Sequence, residues 1–261
     1  MPARAESPEG WGHVTPPEVG ALARSARGPA THDRGMGRRC EWPIAVVLIG
    51  AAVAGCAGGT AAPTATLGAD RPSALPAGAY QSRVFEPGVS FTLPAGWWIA
   101  SDAADYLALQ PVDTDQAGIF LFRDPQAASQ DLACPLEPEP GVGGLSTDLS
   151  AWIRGLPGLV AGNPRLASVG GLRGTEIDLQ IADGWQASCP FAGGLPTVPL
   201  FVGTDELRWV VAGSEQLRLS LLDVRGGGAV VVDIDAFDGT LMADLLQSAG
   251  PILDSFTFAT P

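Results

Sequence analysis

The chain contains no lysine, and its two histidines, His13 and His32, both stand upstream of Cys56. From Cys56 onward, therefore, no histidine-based triad, no histidine metal site and no lysine Schiff base can be built. Positive charge is scarce as well. Over the same stretch nine arginines face 23 aspartates and glutamates, a net charge of about −14. Nucleic-acid binding relies on neutralising phosphates with Lys and Arg, so no nucleic-acid partner is expected. An anionic bilayer surface would repel the domain for the same reason. Long apolar runs are also missing, with one exception.

That exception is IAVVLIGAAVAGCAGG, Ile44 to Gly59. Its uncharged stretch from Trp42 to Ala54 covers thirteen residues, against about 20 needed to span a bilayer. Secretory h-regions run about 7–15 residues behind a positive n-region, and Arg38 and Arg39 supply that region. The end of the run, Val53-Ala54-Gly55-Cys56, resembles the bacterial lipobox. That resemblance implies cleavage before Cys56 and a diacylglyceryl group on its thiol, which is the expected route to the extracytoplasmic face of the cell membrane. Residues 1–35 are rich in Pro, Gly and charge and lack apolar periodicity, so they read as disordered. Met36 follows directly, and a start there leaves a compact signal peptide over 36–55. Residues 1–35 are then expected to be a mis-assigned extension; peptides from them in unprocessed precursor would refute this. Residues 56–83, with small residues and scattered Pro, read as a flexible tether reaching on the order of 30 Å, at about 5–6 Å × √n. A single globular domain is expected over 84–261.

Of four cysteines, Cys40 leaves with the signal and Cys56 takes the lipid, so Cys134 and Cys189 remain. Beyond the membrane a leftover pair is expected to form a disulfide. A single reactive thiol is the competing reading. Both cysteines precede a proline in loop-like sequence, Cys134-Pro135 and Cys189-Pro190.

Apolar periodicity then sets the fold class. VSFTLP places Val89, Phe91 and Leu93 on one strand face, and Pro94-Ala95-Gly96 is expected to turn the chain into a paired strand over Trp97–Ala100. YLALQP and GIFLFRD read as further strands. A proline-rich loop precedes STDLSAWIRGLPGL, a helix with Ser146 or Thr147 as cap and an apolar face of Leu149, Trp152, Ile153 and Leu156. Four strands follow, two flanking Gly170-Gly171, then PLFVG and LRWVVAG. Leu217, Leu219 and Leu221 alternate, Gly226-Gly227-Gly228 turns, and Val230, Val232 and Ile234 alternate back as an antiparallel hairpin. Asp238 is expected to cap a last helix, and Pro251 to open a turn. The sum is α+β, an antiparallel β-sheet packed with helices.

FTLPAGWW, VGGLRGTEIDLQ, LRLSLLDVRGGGAVVVDIDA and PILDSFTF together resemble the PsbP-like domain of bacterial surface lipoproteins. The resemblance would cover about 85–258 and implies an antiparallel sheet between helices, an α/β/α sandwich. Its motifs are structural. They imply no metal or cofactor, and no residue matches a photosystem site.

Little catalytic chemistry is visible. DIDAFDG, Asp233 to Gly239, has Phe237 and Asp238 where a calcium loop needs an oxygen ligand and a glycine. Asp233 and Asp235 are instead expected on the outer face of a strand whose Val232 and Ile234 point inward. No Gly-x-Ser-x-Gly elbow occurs. A glycosidase could run on two carboxylates, but no diagnostic spacing singles out a pair, so no catalytic residue is assigned. Aromatics are the better binding candidates. Trp97 and Trp98 should face opposite sides of a strand, leaving Trp98 as a candidate ligand contact. Trp185 and Phe191 flank Cys189, either flooring a site for a small apolar ligand or packing over the sheet edge. The expected function is a non-catalytic, lipid-anchored binding or accessory module serving such a ligand or an envelope protein. A carboxylate-dependent envelope hydrolase is the alternative.

Overall fold

In a computed structural model, residues 73–203 and 207–259 are described. The extension, the signal peptide, Cys56 and most of the tether lie outside the described residues. The centre is an eight-stranded antiparallel sheet: β3 (Trp97–Asp102), β4 (Tyr106–Pro111), β5 (Ala117–Arg123), β13 (Ala229–Ala236), β12 (Gln216–Asp223) and β9 (Leu172–Ile181), in that order. Both β7 (Leu159–Ala161) and β8 (Arg165–Val169) pair with the outer side of β9. One small sheet is β1 (Gly78–Gln81), β2 (Val89–Leu93) and β14 (Thr257–Phe258); the other is β11 (Arg208–Ala212), β10 (Thr197–Val202) and β6 (Gln126–Ala127). Helices α1 (Ser146–Arg154) and α2 (Gly239–Asp254) complete the fold.

Strand alternation sorts the central sheet into two buried faces. Ile119, Leu121, Val230, Val232 and Ile234 join Val89, Phe91 and Leu93 of β2 and Leu245, Ala249 and Ile252 of α2 in one core. Phe120, Phe122, Leu219, Ile177 and Val231 point the other way and join Leu149 and Ile153 of α1 and Val198, Leu200 and Trp209 of the β10–β11 layer. With both faces covered, all eight residues of β13 are buried. The α+β architecture read from the sequence is present, with a sheet held between helix-bearing layers.

Four expectations need correction. β2 and β3 do not pair: Pro94–Gly96, with Gly96 at φ +91, carries the chain from one sheet into another, and β2 pairs with β1 and β14 instead. Periodicity reports which face of a strand is buried, not its neighbour. The tether is shorter than 56–83, because Gly78–Gln81 already form β1. The α1 cap is Leu145, with no side-chain cap; the Ser146 hydroxyl donates to Asp223 on β12 instead. Finally, α2 runs through Pro251. An internal proline costs about 3 kcal/mol, but Gly250 has no Cβ to meet its ring, and Ala249 and Ile252 are fully buried around it.

Asp238 does cap α2, accepting from the Thr240 and Leu241 backbone N–H groups (2.8 and 2.9 Å). The Gly226–Gly228 turn joins β12 to β13 with all three glycines at positive φ. No described helix is long and apolar enough to cross a membrane.

Candidate functional site

Three places gather side chains with chemical potential. The first was misread in the sequence. Asp233 and Asp235 do not face solvent; they are 0% and 8% exposed. The register sets Asp233 opposite Phe120 and Asp235 opposite Gly118, on the face covered by β11. There the Trp209 indole N–H donates to Asp233 Oδ2 (2.8 Å), while Asp233 Oδ1 is buried without a hydrogen-bond partner. Trp209 itself packs against Phe120 and Phe122, with ring centroids 4.7 and 4.9 Å away. Glu215, in the β11–β12 turn, accepts from the Ala212 N–H (2.7 Å).

Desolvation dominates this cluster. It holds Asp233 well above the usual carboxylate range, helped by the negative charge of Asp235 and opposed by the Trp209 hydrogen bond. It raises Asp235 to about 7. Glu215 is pushed up by desolvation and then by Asp235, with the Ala212 N–H pulling the other way. A raised carboxyl can serve as a general acid, but Asp233 has no access to a substrate. Among the described residues no set of three or more His, Cys, Asp or Glu side chains is arranged to hold a metal ion.

The second place is the disulfide region. Cys134 and Cys189 are bonded, with Cα atoms 5.6 Å apart, and close a separation of 55 residues. Ala192 and Phe191 pack on the bridge. The Arg208 guanidinium lies 4.4 Å from the Phe191 ring centroid, its Nε buried without a partner, and desolvation lowers its pKa. Trp185 turns inward: its indole N–H donates to the Thr197 carbonyl (2.9 Å), and a Cβ on Gly158 would stand 2.7 Å from its ring. Trp98 is opposite Gln110 on β4, half-buried, and is not brought to Trp185 or Phe191 by any pairing.

The third place drew no attention in the sequence. An open cleft of about 500 Å³ lies between β1 and β3. Leu75, Tyr80, Val84 and Ile99 supply its apolar surface, and Arg83 and Asp102 its charged lining. Both Asp102 oxygens are engaged within the β1–β2 connection, Oδ1 accepting from the Ser82 hydroxyl and Oδ2 from the Arg83 backbone N–H (2.8 Å). This cleft depends on β1, inside the stretch read as tether, and so could not be found by a reading that began the domain at Val84.

No family model matches the chain, and no curated protein matches it. Among solved structures, the chain is similar to a protein from Bacteroides thetaiotaomicron at 9% identity, over 66% of this chain and 45% of that one, TM-score 0.31. The chain therefore spans under half the length of that protein. It is similar to cyanobacterial PsbP (CyanoP) from Synechocystis sp. PCC 6803 at 11% identity, over 78% and 98%, TM-score 0.36. It is also similar to LpqN, involved in cell envelope biogenesis of Mycobacterium tuberculosis, at 14% identity, over 72% and 87%, TM-score 0.33. Likeness at this level assigns neither family nor activity.

Proposed function

We propose that this chain is an extracytoplasmic binding or accessory module without catalysis, held to the cell membrane by a diacylglyceryl group on Cys56. The observation that carries the reading is the open apolar cleft between β1 and β3, close to where the tether would enter the domain. Sites for small molecules are mostly apolar and about 300–1,000 Å³, and the cleft's volume and apolar lining fall in that range. The hydrolase alternative finds less support. Its best-placed carboxyls, Asp233 and Asp235, are buried between layers and are not in the lining of that cleft.

The anchor follows from the signal-like run ending at Cys56. Each buried acyl CH₂ contributes about 0.8 kcal/mol, and two chains anchor stably where one does so only marginally. Labelled fatty acid is expected to enter the wild-type protein in a bacterial host and to be absent from Cys56→Ser. Label persisting in Cys56→Ser would refute the anchor.

A further inference from the structure

We propose that the cleft between β1 and β3 receives a single-chain amphiphile with an anionic head, its alkyl chain lying on Leu75, Val84 and Ile99 and its head at Arg83. The proposal rests on the binding reading above and names the ligand class.

The first ground is shape and surface. The cleft holds about 500 Å³, and one of its apolar side chains, Val84, is 49% exposed. An aliphatic residue so exposed gains from any apolar group that covers it. Tyr80 is fixed beside it, donating its hydroxyl to the Pro76 carbonyl (2.6 Å) and stacking on Phe91 at 6.4 Å. Its ring therefore adds apolar surface to the cleft, and its hydroxyl proton is committed to Pro76.

The second ground is charge. Acids far outnumber arginines in this chain, and on the central sheet Arg165 and Arg218 are both consumed by Glu176 and Asp178. Arg83 is different. Among the described residues its guanidinium makes no ion pair, and its hydrogen bond to Asp102 comes from the backbone N–H, which leaves the side chain uncommitted. Asp102 is the acid in the lining; it keeps its charge, but the Ser82 hydroxyl and that N–H hold it against the β1–β2 connection, whereas the Arg83 guanidinium is uncommitted. The available head-group partner is thus a cation beside an apolar surface, which matches a carboxylate or phosphate head on an alkyl chain.

The test uses the full chain carrying Cys56→Ser, which keeps its own acyl groups out of the measurement. Decanoate, decanol and decyltrimethylammonium are titrated below their micelle concentrations while the methyl NMR signals of Leu75, Val84 and Ile99 are followed. All three methyls are expected to shift with decanoate. A hydrogen bond to a charged group is worth about 1.5–3 kcal/mol, so decanol should bind roughly ten- to hundredfold more weakly, and the ammonium more weakly still. Arg83→Gln, an exposed and structurally mild change, should bring decanoate down to the affinity of decanol and leave decanol unchanged. Equal affinity for all three probes, tighter binding of the ammonium, or decanoate binding untouched by Arg83→Gln would overturn the anionic-head proposal and leave the cleft a binding site. If no probe moves these methyls, the proposal and the binding reading fall together.

Discussion

Asp178 on β9 and Asp233 on β13 flank the same strand, β12, in one sheet, yet the protein treats their charges in opposite ways. Asp178 lies on a half-open region of the sheet and takes hydrogen bonds from Arg218 Nε (2.7 Å) and Arg165 Nη1 (2.9 Å). Desolvation alone would raise its pKa, but the two arginines outweigh it and pull Asp178 below the usual range. Asp233 has no arginine. It is sealed under β11 with one indole donor, and burial drives its pKa up. The first acid is kept charged by pairing, and the second is kept neutral by exclusion of water. Partner supply, and not burial alone, decides which outcome a carboxyl meets. A chain with so few cations cannot pair every acid its core encloses.

The sharpest way to break this contrast is to move a carboxyl by one residue. Val232 is 1% exposed and faces the wholly apolar core under α2. Val232→Asp would put a carboxyl there with no indole, arginine or neighbouring acid to share a proton. A loss on the order of 5 kcal/mol, in the exceptional range for single substitutions, is expected to abolish the cooperative urea transition. A folded Val232→Asp protein would show that this face tolerates what the other one holds.

Next in size is the bridge that ties the loops beside the covering β10–β11 layer. Closing 55 residues, the Cys134–Cys189 bond should contribute up to roughly 4 kcal/mol in the chain-entropy model. Reduction should lower the urea midpoint and speed hydrogen exchange around Trp185 more than in the β12–β13 hairpin. Uniform exchange would mean that the bridge acts on the unfolded chain alone.

The Asp233, Asp235 and Glu215 cluster then predicts an unusual pH profile. In the unfolded chain Asp233, Asp235 and Glu215 ionise near pH 4. In the fold they keep their protons further up, Asp235 to about 7. The folded state therefore binds more protons between these limits. Stability from this cluster is fully present below about pH 4 and declines as pH rises through 7, by up to about 1.4 kcal/mol per pH unit for each group. Asp233→Asn should be more stable than wild type at pH 8 and gain nothing at pH 4. Parallel urea-midpoint curves from pH 4 to 8 would show that Asp233 is ionised in the fold.

How much of this was legible depends on which physical quantity a sequence encodes. Val89–Leu93, the α1 face and the two arms around Gly226–Gly228 were readable because alternation reports burial directly. The Cys134–Cys189 pair was readable by elimination. Strand partners were not: Pro94–Gly96 looks like a hairpin turn in either topology. The fate of Asp233 was missed because alternation assigns a strand one wet face, and nothing local announces that β11, some twenty residues earlier, will cover it. The cleft was missed for a similar reason, since Gly78–Gln81 has too weak a pattern to stand out as a strand until β2 is beside it.

The smallest effect falls on the paired acids and completes the contrast. Arg165 is 47% exposed and bonds Glu176 at 2.7 Å and Asp178 at 2.9 Å. Solvent screens such pairs, and exposed ones measure about 0.2–1 kcal/mol. Arg165→Ala leaves Asp178 with Arg218, so a loss under about 1 kcal/mol is expected, shrinking further in 1 M salt. The pH window separates it from the Asp233 effect. An acid whose pKa is depressed by folding contributes stability above its unfolded pKa, lost as pH falls through the folded value. The Arg165→Ala difference should therefore be flat from pH 5 to 8 and fade below 4, whereas the Asp233→Asn difference is absent at pH 4 and grows towards pH 8. A loss of several kcal/mol in Arg165→Ala would mean that Arg218 alone cannot hold Asp178 charged.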